Sequence, residues 1–135
     1  MVLSRFIEDS EGKRYPMAGL LPFGTRMLTR RKALGYTEVI LREPCLFGQA
    51  GLSLRGHEFH YSEIAEMDES SSSPLQFAYE LRKRKHCAAR QEGYMVGSVL
   101  ASYVHLHWGS APAGPAEFVR RCLVYEETQK KHKAL

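Results

Sequence analysis

At 135 residues, 44% apolar and 25% charged, the chain has the size and composition of one domain with a proper core. No run approaches the roughly 18–20 apolar residues of a membrane span, and the opening MVLSRFIEDSEGKRYP has an acidic cluster where a secretory signal needs an apolar stretch, so no membrane partner and a cytoplasmic location are expected. The net charge of +4 comes from Arg30-Arg31-Lys32, Arg82-Lys83-Arg84-Lys85 and Lys130-Lys131-His132-Lys133, runs with no interleaved aromatics and no nucleic-acid motif, which read as solvated surface first, as a site for an anionic partner second and as a nucleic-acid footprint last.

In chain order, residues 1–8 read as the end of a helix and DSEGKR (9–14) as a turn. The stretch YPMAGLLPFGTRML (15–28) is broken by Pro16, Gly19, Pro22 and Gly24 into loop and short strand. GYTEVILRE (35–43) is rich in β-branched and aromatic residues and predicts a strand. PCLFGQAG (44–51) is a turn, LSLRGHEFHYSEI (52–64) the next strand, and the serine-rich EMDESSSSP (66–74) a loop. LQFAYELRKR (75–84) shows no clean helical stripe and is taken as a strand. EGYMVGSVLASYVHLHWG (92–109) holds one or two strands, punctuated by Gly93 and Gly97. The one clear helix is AEFVRRCLVYEETQKKHK (116–133), expected to pack on the core through Phe118, Cys122 and Tyr125, with its terminal lysines complementing the helix dipole. Cys45, Cys87 and Cys122 form no CxxC pair, which argues against a disulfide framework or a thiolate metal site and for small buried thiols.

The chemistry concentrates in two strands. His105 and His107 are two residues apart and project from one face; on the other strand Glu58 and His60 share a face, opposite to that of His57 and Phe59. If the strands adjoin, Glu58, His60, His105 and His107 converge. Three readings stay open on these residues: a metal site of imidazoles and a carboxylate, structural core histidines, and acid–base work beside a nucleophile.

GYTEV, LRGHEFHYS and SYVHLHWGS, in this order, closely resemble the amidotransferase domain of the cobyrinate a,c-diamide synthase family, in the cobyrinate and cobyrate synthase branch of class I glutamine amidotransferases. The resemblance implies an α/β, class I amidotransferase-like (flavodoxin-like) half-domain with a mainly β core and a C-terminal helix. It implies glutamine as ammonia source and a corrinoid-type tetrapyrrole carboxylate as acceptor, with ATP and Mg2+ used by an N-terminal domain that these residues do not include. Matching the family's Y-x-H pattern to SYVHLH makes His105 the catalytic histidine, with His107 as secondary candidate; Glu58 and His60 become substrate-pocket residues, Arg55 being a structural partner to weigh for Glu58. No metal ligands are implied.

The chain departs from the pattern in having no E-C-G-G nucleophile elbow and no Gly-rich, lysine-bearing ATP loop. Residues 1–135 are therefore expected to be a single partial amidotransferase-like domain, inactive alone, and a homo-oligomer or the partner of an ATP-binding chain. Tyr94, Met95, Val96, Val99 and Leu100 are the apolar residues expected near such a surface. The competing expectations are a non-catalytic binding or assembly protein that reuses the half-domain, and a metal-binding β-protein.

Overall fold

The structure, a computed structural model, describes residues 1–68, 75–82 and 88–133. The serine-rich loop at 70–73, Cys87 and residues 83–85 of the central basic run lie outside the described residues. The strands are β1 (Phe6–Glu8), β2 (Arg14–Pro16), β3 (Phe23–Met27), β4 (Ala33–Leu41), β5 (Ser53–His60), β6 (Ser62–Met67), β7 (Gln76–Arg82), β8 (Arg90–Val96), β9 (Val99–Ala101) and β10 (Val104–His107). A 3-10 turn (Trp108–Ser110) leads into α1 (Ala113–Lys133). A mainly β core with a C-terminal helix is what the sequence leads one to expect.

Alternation builds the central sheet. Along β4, Thr37, Val39 and Leu41 are buried while Tyr36 and Glu38 face out; along β5, Leu54, Gly56 and Glu58 are buried between exposed Arg55 and Phe59. Six strands follow in the order β10-β5-β4-β7-β8-β9, all antiparallel. Their inner face carries the main core, with Val39, Leu41, Leu54, Tyr79, Leu81 and Val104, covered by Cys45, Phe47 and Leu52 of the turn after β4. The second sheet, β2-β1-β3-β6, contains the one parallel pair among the described residues, β1 with β3. A smaller cluster of Leu21, Phe23 and Tyr94 joins it to the β8 end of the central sheet.

Three expectations are corrected. Residues 1–8 are not a helix end. Ser4 is buried with its hydroxyl donating to the Met1 carbonyl at 2.6 Å, and Phe6–Glu8 pairs between β2 and β3; the apolar spacing mimics a helical stripe, but sheet pairing satisfies the backbone. The strand expected over 52–64 is two, because at Tyr61 the chain leaves β4 as its partner and β6 takes up β3, with the Leu28 N–H donating to the Tyr61 carbonyl at 2.7 Å. The terminal helix does not pack through Phe118, Cys122 and Tyr125: Phe118 reaches only the edge of Phe47, at 6.4 Å between ring centroids, and Cys122 and Tyr125 are exposed. What anchors α1 is its first turn, where Gly114 lies against Leu54 and the Phe47 carbonyl and Ala111 is buried.

Candidate active site

The register of β10 on β5 decides what meets what. Val104 lies opposite Glu58, His105 opposite His57, and His107 opposite Arg55. Residues directly opposite in an antiparallel pair share a face. His105 and His107 therefore lie with His57 and Arg55 on the outer face, where β4 adds Tyr36, 86% exposed. The His105 ring meets His57 edge-on at 6.4 Å between centroids, and His57 meets Tyr36 at 5.6 Å. His105 is exposed, so its ring can be reached by a group brought against this face. His107 folds over Gly109, where an added Cβ would stand 3.0 Å from its ring. The strand's far end is pinned by Ser110, whose hydroxyl donates to the His107 carbonyl at 2.6 Å and accepts the Arg55 N–H at 2.9 Å.

Gly56 makes this pairing close. Any side chain there would overlap Val104 and press on the His105 carbonyl.

Glu58 and His60 share a face with each other but not with His105 and His107. The four do not converge: β5 turns Glu58 inward, and the register sets His105 across from His57. Glu58 is fully buried and accepts from Arg90, not from Arg55, which lies on the opposite face. His60 donates from Nδ1 to the Ser62 carbonyl at 2.8 Å, since a carbonyl can only accept; Nε2 is left 3.6 Å from Glu58 Oε1. Its ring stacks on Tyr103, with centroids 4.2 Å apart and planes 18° from parallel.

Tyr103 leads to a network that the sequence reading passed over. Glu92 of β8, fully buried, accepts the Tyr103 N–H on Oε1 at 2.8 Å, and the Gly93 N–H at 2.6 Å and the Ser102 hydroxyl at 2.9 Å on Oε2. Ser102 Oγ in turn accepts the Val104 N–H at 2.7 Å and the Tyr79 hydroxyl at 2.5 Å. Burial, reinforced by the Glu92 charge, pushes the Tyr79 phenol far above its ordinary range, so it remains a donor. The available signal was an acidic residue heading the apolar run EGYMV, where an unpaired carboxylate is not tolerated.

Among the described residues, neither Cys45 nor Cys122 supplies a nucleophile to His105. Cys45 is buried in the turn after β4, and desolvation pushes its thiol up, the opposite of what an attacking thiolate needs. Cys122 stands exposed on α1. Among the described residues no three His, Cys, Asp or Glu side chains gather to hold a metal ion. With no Gly-rich phosphate loop either, the residues present do not fit ATP or Mg2+. Among the described residues no helix is long and apolar enough to cross a membrane.

Residues 1–113 match the CobB/CobQ-like glutamine amidotransferase domain. Among curated relatives, the cobyrinate a,c-diamide synthase of Leptospira interrogans is 46% identical over 123 residues, covering 91% of this chain and 26% of the relative. That of Syntrophotalea carbinolica is 46% identical over 122 residues, covering 90% and 26%, and that of Thermoplasma volcanium 34% identical over 130, covering 96% and 27%. The chain spans about a quarter of the length of these relatives. With the family's motif strands in place as β4, β5 and β10, the chain belongs to the CobB/CobQ-like glutamine amidotransferase domain family.

Proposed function

We propose that these residues serve a glutamine-dependent amidotransferase that amidates corrinoid side-chain carboxylates, as a cobyrinate a,c-diamide synthase does, with His105 as its general base. The observation that carries the reading is the placement of His105: exposed, on the outer face, on a strand held at both ends. Its imidazole takes the proton of a cysteine thiol as the sulfur attacks the glutamine amide carbon, then returns that proton to the departing ammonia. The nucleophile comes from residues outside these 135, because Cys45 is desolvated and no elbow motif is present. His107, on the same face, supports the β10 end. Glu58 and His60 serve the pocket from beneath, by fixing Arg90 and Tyr103 and so the strand that runs beside glutamine. ATP and Mg2+ act in another domain, where the acceptor carboxylate is activated.

An association partner, either a second copy or an ATP-binding chain, covers the outer face, where Leu34, Tyr36 and Phe59 are each about half exposed or more. This replaces the surface expected at Tyr94 and Met95, which are buried.

Ammonia release from glutamine tests the base assignment. The 135-residue chain alone is expected to release none. Fused behind a nucleophile-bearing amidotransferase segment of the family it is expected to turn over, and His105→Asn is expected to lower kcat by about 10²–10⁴-fold. Turnover by the isolated chain that disappears on mutating Cys45, Cys87 or Cys122 would place the nucleophile within it and overturn the reading.

A further inference from the structure

We propose that Glu92 is the positioning residue for His105, acting through Ser102. The inference rests on His105 being the base. A base must be held to within about 0.5 Å of its working geometry, and β10 alone is a poor holder. It is four residues long and lies at the edge of the central sheet, with β5 as its only ladder partner among the described residues. Such a strand frays from its ends. Its C-terminal end is closed by Ser110. Its N-terminal end, directly before His105, is closed through the Glu92 carboxylate, which bonds both Ser102 and the Tyr103 N–H, while Tyr79 and the His60 ring reach only side chains there.

The geometry is specific to a carboxylate. Glu92 receives three donors, and two of its three bonds reach the residues just before β10, namely the Tyr103 N–H and the Ser102 hydroxyl. By spending its proton on Glu92, Ser102 Oγ is left as the acceptor for the Val104 N–H, so the residue adjoining His105 is tied to β8 by two consecutive hydrogen bonds. Tyr79 supplies a second donor to the same hydroxyl and fixes its rotor. A buried carboxylate is costly unless fully bonded, and charge-assisted bonds are the stronger kind. The arrangement thus holds backbone, not a ligand: Glu92 is sealed from solvent and stands on the other side of the sheet from the His105 ring.

The test reads the His105 ring in the intact 135-residue chain by NMR, with no turnover required. In the wild type, nuclear Overhauser contacts between the His57 and His105 rings are expected from their edge-on packing. Glu92→Gln, which turns an amide NH2 toward one of the donors, and Ser102→Ala are both expected to lose those contacts and to shift the His105 imidazole resonances, leaving His132 on α1 unmoved. Ser102→Thr, which keeps the hydroxyl at an exposed position, is expected to restore them. Should Glu92→Gln fail to fold, the Ser102→Ala and Ser102→Thr pair gives the same reading. His105 resonances and contacts unchanged in a folded Ser102→Ala, whatever its Tm, would overturn the proposal, as would failure of Ser102→Thr to differ from Ser102→Ala. A negative result here is separate from failure of the base assignment, which is read from the effect of His105→Asn on glutamine turnover.

Discussion

Gly93 sits at φ 77°, and a Cβ on it would overlap the Tyr79 ring. Both the backbone and the space demand glycine, and Gly93 also directs its N–H to Glu92. Gly93→Ala is expected to destabilise by at least about 1–2 kcal/mol, the cost of a left-handed non-glycine residue before any displacement of Tyr79 is added. Chemical denaturation with an unchanged m-value would register it; a Gly93→Ala protein as stable as the wild type would contradict the packing. Thiol alkylation gives a second check. Exposed Cys122 is expected to label in the native state, whereas Cys45 labels only after unfolding, because burial both hides the thiol and raises its pKa. At this scale the sequence was partly legible. His105 and His107 share the outer face, as their two-residue spacing requires. A basic partner for Glu58 was legible but that it is Arg90 and not Arg55 was not, and the four-residue convergence failed, since both depend on strand register, and period-2 alternation says which residues share a face within a strand but not which strand lies opposite.

At the scale of elements, β4, β5, β7 and β10 were all readable: β4 is rich in β-branched and aromatic residues, β5 and β10 carry the alternating histidine motifs, and β7, open to strand or helix, shows no clean helical stripe. The corner at Tyr61 was not: LSLRGHEFHYSEI keeps its alternation while changing sheets, and only the pairing of Ser62 with Met27 reveals the switch. For α1 the helix itself was legible and its packing was not. Apolar residues at helical spacing say which face is apolar, not that anything covers it. What holds the start of α1 together is local. Glu117 receives Arg120 at 2.7 Å and Arg121 at 2.9 Å, and these hydrogen bonds draw its carboxyl from an ordinary 4.5 to about 2. A folded pKa below the unfolded one means that the stabilisation is complete above the ordinary carboxylate range and drains away as pH falls through about 2. The first turns of α1 should therefore keep their helical carbon shifts from pH 7 to pH 4.5 and lose them on approach to pH 2. Glu117→Gln should remove that pH dependence; an unaltered acid profile in Glu117→Gln would show that the arginine pairs do not matter.

For the molecule as a whole, the two faces of the central sheet differ. One is filled by the core; the other presents Tyr36, Leu34 and Phe59 around the candidate base. Contiguous exposed apolar groups favour association. Sedimentation equilibrium is expected to show concentration-dependent assembly of the chain, weakened by Tyr36→Lys; an ideal monomer at all concentrations would leave that face uncovered by a copy of itself. The family was legible from three short motifs because they include the histidine strands, but the buried Glu92 network was not, since its partners are scattered over β7, β8 and the turn before β10.

The pairing of β10 with β5 joins residues separated by more than a third of the chain, and β10 follows the other described strands in sequence. Closing so large a loop costs entropy that no local contact repays in advance, so this ladder forms late along the folding path. Its two ends are clasped by hydroxyls, Ser102 before it and Ser110 after it, rather than by apolar bulk. The region that bears His105 is thus the last to be assembled and, in a stressed molecule, the first to open. Loss of the imidazole geometry should precede loss of the β-sheet signal on heating, so that function has a lower ceiling than the fold that carries it.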